Sequence, residues 1–135
     1  MRNRKKIVAV VDDDRGMLDA VKKLLDAYGF STVCFSSAQE FITVAPQTDC
    51  LLLDIQLRAS SGFELRNQLK ESRSQLPVIF MTALHTKSIY EEAIKAGCVA
   101  CLRKPFTAKE LLDALDLAAP ETEQTRARGN NPEAL

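Results

Sequence analysis

Short apolar runs recur along the chain, each stopping at a polar residue or a turn former. Ile7–Val11 (IVAVV) stops at Asp12, and the leucines that follow Cys50 stop at Asp54. Runs this short and this uniformly apolar suit strands buried on both faces, as in a parallel sheet covered by helices. Ser31–Phe35 (STVCF) alternates and contains β-branched residues, which predicts a second strand. Pro77 opens another, PVIFM, ending at Thr82 and Ala83, and a short last strand runs from about Val99 to Leu102 into Arg103, Lys104 and Pro105.

Between these runs the apolar period changes to that of a helix. Met17, Leu18, Val21, Leu24, Leu25 and Tyr28 repeat at helical spacing, and Gly29 stands where a glycine ends a helix. Ser36 or Ser37 can cap a short helix to about Val44, with Ala38, Phe41, Ile42 and Ala45 on its apolar side and Pro46 as its stop. Phe63, Leu65 and Leu69 suit a helix to about Ser72. It is preceded by an eight-residue loop, IQLRASSG, whose Gly62 predicts a tight turn or a positive φ. Ile89, Ala93, Ile94 and Ala96 make a weaker helix closed by Gly97, and Thr107 caps a last one carrying Leu111, Leu112, Leu115 and Leu117 up to Pro120.

Five strands alternating with five helices predict a doubly wound α/β domain with a five-stranded parallel sheet. In such folds all strand ends lie on one side, the edge where ligands bind. That edge would gather Asp12, Asp13 and Asp14 after the first strand, Asp54 after the third, Thr82 after the fourth and Lys104 after the fifth. Each is ordinary alone; their coincidence points to chemistry. Two carboxylates about 4 Å apart repel by roughly 4 kcal/mol at an effective dielectric of 20, so the acidic ends call for a cation. Oxygen-only ligands suit Mg²⁺ or Mn²⁺ rather than zinc. The plainer alternative, that the aspartates cap the following helix, is strongest for Asp14.

Composition narrows the picture. The chain has 135 residues, enough for one domain with its own core and too few for two. Its 18 basic residues balance 18 acidic ones, which gives no global field for nucleic acid or an anionic membrane. The basic start, MRNRKK, precedes only five apolar residues, too short for a signal core or a membrane span, so a cytoplasmic protein is expected. From Glu121 to Leu135 apolar periodicity is lost, which predicts a domain over 1–119 and a disordered tail or the start of a linker over 120–135. Cys98 and Cys101 form a CxxC, but Cys34 and Cys50 offer no second ligand pair at similar spacing, and residues three apart in a strand face opposite ways. Buried thiols are the better reading.

Taken together, VVDDD, LLLDIQL with Gly62 eight residues after Asp54, VIFMTAL and LRKPF closely resemble the receiver domain of two-component response regulators, over about Lys5 to Ala118. FMTALHTKSIYEEAIKAGCVACLRKPF is most similar to receivers of the nitrogen-regulatory and nitrogen-fixation type. The resemblance implies a flavodoxin-like fold with strand order 2-1-3-4-5. It also implies transfer of a phosphoryl group from the phosphohistidine of a sensor histidine kinase or phosphotransfer protein onto Asp54, with a downstream output domain or target. By the same resemblance Mg²⁺ is held by Asp12, Asp13, Asp54 and the backbone carbonyl of Gln56. Lys104 contacts the phosphoryl group, before a Lys-Pro bond that is typically cis, and Thr82 donates its hydroxyl and draws its loop inward. Such a protein catalyses its own phosphorylation and dephosphorylation and is not a turnover enzyme.

Three positions depart from the family pattern. Arg58 stands where proline is usual, Cys101 replaces the aromatic ring that follows Thr82's movement in the switch, and Leu84 is apolar where, with Gln56, it flanks the path of hydrolytic water. Two other classes compete, and the residues weigh against both: Asp12, Asp13, Asp54, Thr82 and Lys104 are all retained, and Gln56 is not an aspartate. One is an interaction module that keeps the fold without accepting phosphate. The other is a phosphatase with an aspartyl-phosphate intermediate, which would need an aspartate where Gln56 stands.

Overall fold

The computed structural model describes residues 5–73 and 75–119. The expected tail, and with it Pro120 as a helix stop, lies outside these residues. Five strands, β1 Ile7–Val11, β2 Ser31–Phe35, β3 Cys50–Asp54, β4 Val78–Thr82 and β5 Ala100–Arg103, alternate with five helices, α1 Arg15–Ala27, α2 Ala38–Val44, α3 Gly62–Ser72, α4 Lys87–Lys95 and α5 Ala108–Ala118. All strand pairs are parallel, in the order β2-β1-β3-β4-β5.

Strand alternation divides the core in two. Val8, Val10, Leu52 and Met81 face α1 and α5, whose Leu18, Val21, Leu25, Leu111 and Leu115 cover them. Ala9, Val11, Leu51, Leu53 and Phe80 face α2, α3 and α4 through Phe41, Leu65, Leu69 and Ala93. The central strands are buried on both faces, and for that reason they read as unbroken apolar runs. Each helix begins at a side-chain cap: Asp14, Ser37, Ser61, Thr86 and Thr107, with Glu64 and Glu110 completing reciprocal capping boxes for α3 and α5. α1 closes at Gly29, whose φ of +91° is the left-handed value that glycine adopts without cost.

Several expectations change in detail. Tyr28, Ile94 and Leu117, read as core positions, are exposed; Tyr28 is the C-cap of α1 and lies beyond its last turn. Ile42 is also exposed, and Ala45 is the left-handed cap of α2 rather than part of its face. β5 starts one residue later than predicted. Cys98 lies two residues before the strand, just after Gly97, so the two-residue alternation does not reach it. It packs with Cys101 on the α2–α4 side instead of facing away. Both thiols are free. Gly62 does not have a positive φ: it opens α3, and a Cβ there would lie 2.6 Å from the Asp54 carbonyl oxygen. What the position requires is close backbone approach, not a special dihedral.

Candidate functional site

Pairing in register carries the predicted residues to one edge. Val11 lies beside Leu53, Asp54 beside Met81, and Thr82 beside Arg103, so Asp12, Asp54, Thr82 and Lys104 follow one another across four strand ends. Asp12 is fully buried and Asp54 is 4% exposed. Lys104 reaches between them, its Nζ 2.8 Å from Asp12 Oδ2 and 3.2 Å from Asp54 Oδ2. The remaining oxygens are held by the backbone: Asp12 Oδ1 accepts from the Asp14 amide at 2.9 Å, and Asp54 Oδ1 from the Gln56 amide at 3.0 Å. Asp14 stays outside the cluster and caps α1 through the Gly16 and Met17 amides, as its plainer reading held.

Lys104 bridges two of the three carboxylates and only the exposed Arg58 guanidinium approaches the third, so the pocket keeps a net negative charge. The Asp54 carboxyl is pushed up to about 6, first by burial and next by the charge on Asp12, with Lys104 working against both. Lys104 is held above its ordinary value: burial opposes its charge, but the bonds to Asp12 and Asp54 outweigh that. Asp12, Asp13 and Asp54 can each offer an oxygen with all three atoms within 4.8 Å of one another. A compact, all-oxygen, anionic donor set is what a hard divalent cation takes, so these residues fit Mg²⁺ or Mn²⁺ and suit zinc poorly.

Thr82 is fully buried and its hydroxyl sits among three partners: Gln56 Oε1 at 3.1 Å, the Leu84 carbonyl at 3.1 Å, and the Leu84 amide, which donates to it at 2.9 Å. Its carbonyl accepts from the Lys104 amide at 2.8 Å, so the β4 and β5 ends are joined by main chain. The Lys104–Pro105 peptide is cis. Cys101 is half-buried in the core below the site, its thiol raised to about 11 by burial. Leu84 is half-exposed at the rim.

Two neighbours carry no signal in the hydrophobic pattern. His85 bridges the loop after β4 to β5: its Nδ1 accepts from Arg103 Nε at 3.1 Å, so its Nε2 carries the proton and donates to the Lys104 carbonyl at 3.2 Å. Arg58 donates its amide to Asp13 Oδ2 at 2.8 Å. Only the departure from the family pattern at position 58 could have drawn attention to it.

A doubly wound parallel sheet with buried aspartates, a lysine bridge and an oxygen cluster at its carboxyl edge defines an α/β protein whose site lies where such sheets bind ligands. The chain belongs to the response regulator receiver domain family, whose model matches residues 8–116. Among its relatives are the response regulator protein TodT of Pseudomonas putida, 36% identical over 129 residues, which cover 94% of this chain and 57% of TodT. Another is the transcriptional regulatory protein FixJ of Bradyrhizobium diazoefficiens, 32% identical over 86% of this chain and 58% of FixJ. The CheY-like receiver domain protein of Methanospirillum hungatei has the same fold, with a TM-score of 0.81 and 25% identity over 90% of this chain and 98% of that one. The chain thus spans under three-fifths of the length of these two regulators. Among the described residues no helix is long and apolar enough to cross a membrane.

Proposed function

We propose that Asp54 is the phosphoacceptor of a two-component or phosphorelay receiver. One Asp54 oxygen forms the new O–P bond while the donor's phosphohistidine N–P bond breaks, its electron pair leaving with the imidazole. An ionised carboxylate is itself the nucleophile, so the step needs no base. Asp12, Asp13, Asp54 and the Gln56 carbonyl would hold Mg²⁺, with Mn²⁺ as a substitute; bound there, the cation neutralises charge on the phosphoryl oxygens. Lys104, already paired with Asp54, turns its ammonium to the transferred group, and the Thr82 hydroxyl exchanges Gln56 and Leu84 for a phosphoryl oxygen. That exchange pulls on the loop after β4.

The observation that carries this reading is the Lys104 ammonium bridging Asp12 and Asp54 beside an oxygen cluster sized for a cation. The donor is a sensor histidine kinase or a phosphotransfer protein in the cytoplasm. The receiver of the signal is an output domain or separate target, which the greater length of the relatives supports. The protein modifies itself and turns over no other substrate. Incubation with acetyl phosphate and Mg²⁺ should add one phosphate by intact mass, and Asp54→Asn should gain none. Equal labelling of the Asn variant would overturn the assignment, and an unlabelled parent would favour an interaction module.

A further inference from the structure

The loop from Ile55 to Ser61 is closed on itself. Gln56 bridges Ser61, the Leu57 amide donates to the Ser60 carbonyl at 3.2 Å, and the Gly62 amide returns to the Ile55 carbonyl at 2.8 Å. Its tip is tied to a residue 45 positions away: the Arg58 amide donates to Asp13 Oδ2 at 2.8 Å, and Arg58 Nε lies 3.9 Å from the same oxygen. The two ties differ in strength. A short amide bond to an ionised carboxylate is charge-assisted, whereas a guanidinium on a side chain 89% exposed is screened by water and salt.

Asp13 is the least buried member of the oxygen cluster, so of the three it is the one that a neighbouring loop can compete for. A divalent cation on Asp13 would face the positive end of the Arg58 amide dipole and the guanidinium, both aimed at the same carboxylate. The two demands on that charge oppose each other. The tie also depends on residue type, since a proline at position 58 would have no N–H to donate.

We infer that Arg58 is a latch that competes with the divalent cation for Asp13, so that metal occupancy is transmitted to the β3–α3 loop. The inference rests on the metal reading proposed above. By linkage, the factor by which the latch weakens cation binding equals the factor by which the cation weakens the latch. The loop also forms one wall of an open cleft shared with Ser37, Gln39 and Gln68. Releasing its tip therefore alters a surface next to the acceptor aspartate before any phosphate arrives.

Calorimetric titration of Mg²⁺ into the full chain at low ionic strength tests this. Arg58→Ala, which keeps the amide, should bind about twofold tighter, and Arg58→Pro, which loses it, about tenfold tighter, while Arg58→Lys should match the parent. The unaltered chain supplies a second readout that does not depend on how the variants fold. In a ¹⁵N-resolved Mg²⁺ titration the Arg58 amide should shift in step with occupancy and lose hydrogen-exchange protection. Saturating Mg²⁺ that leaves the Arg58 amide unmoved, or an Arg58→Pro variant that folds and binds no tighter, would overturn the latch alone. A parent that binds no Mg²⁺ at millimolar concentration would overturn the metal reading, and the latch with it.

Discussion

α4 and α5 flank β5 on opposite faces of the sheet, and they are anchored very differently. α5 starts at a full capping box and buries Leu111, Ala114, Leu115 and Ala118. α4 starts at a single Thr86 cap and buries only Ala93, with Ile94 left 74% exposed. Loss of few buried contacts costs little, so local opening is expected first where burial is least. The weakly held helix is also the one that follows Thr82 and its loop. Thr82 thus adjoins the element that is cheapest to move, while the helix that follows Lys104 is the better anchored one.

The largest effect should come from deleting an anchor on the fixed side. Leu115→Ala, at a position 1% exposed, should cost about 2–5 kcal/mol in urea unfolding, whereas Ile94→Ala should stay within about 0.5 kcal/mol. An equal loss from Ile94→Ala would mean that α4 is covered in solution and would break the comparison.

Acidity gives an intermediate effect. Asp54 holds its proton more tightly when folded, at about 6 against an ordinary 3.8, so its stabilising contribution is complete below about pH 4 and is lost as the pH rises through about 6. With chelator present the loss should be on the order of 1–3 kcal/mol, and Asp54→Asn should abolish it. Because the loss acts on global unfolding, it should accelerate exchange of α5 amides, after correction for intrinsic rates, more than that of α4 amides that already exchange through local opening. Equal acceleration in both helices would show that α4 also opens only globally.

The smallest effect is the sharpest test of the difference. His85 ties the loop before α4 to the Lys104 carbonyl and to Arg103. His85→Ala should speed hydrogen exchange across residues 87–95 by the equivalent of about 0.5–1 kcal/mol and leave residues 111–118 unchanged. Acceleration on both sides would place His85 in the global fold instead.

The three central strands and the residues at their ends are legible in the sequence because the doubly covered part of the sheet makes apolar blocks that stop at Asp12, Asp54 and Thr82, whereas the half-exposed β2 is legible from its alternation. Lys104 was placed by resemblance and by its position after the last apolar run. Margins were not legible: Tyr28, Ile94 and Leu117 satisfy a helical period, but whether a neighbour covers them depends on packing between elements. Gly62 illustrates the same limit: the absence of room for a Cβ, which would lie 2.6 Å from the Asp54 carbonyl oxygen, depends on how two backbone segments pack and not on a turn type. Arg58 and His85 act through an amide and a ring spanning 45 and 18 or 19 residues, and no periodicity encodes such contacts.

The bridge made by Lys104 has a consequence for the order of synthesis. Asp12 and the ammonium that compensates it are 92 residues apart, and Asp54 is 50 residues from the same lysine. A chain emerging from the ribosome exposes its three carboxylates well before the residue that neutralises two of them, since the amino-terminal part appears first. The surroundings of Asp54 are therefore complete only when β5 has docked, and a truncated or half-made chain carries the acidic cluster without its lysine. The lysine bridge is in this sense a certificate of completed folding: a nascent or damaged copy without it carries Asp12 and Asp54 uncompensated.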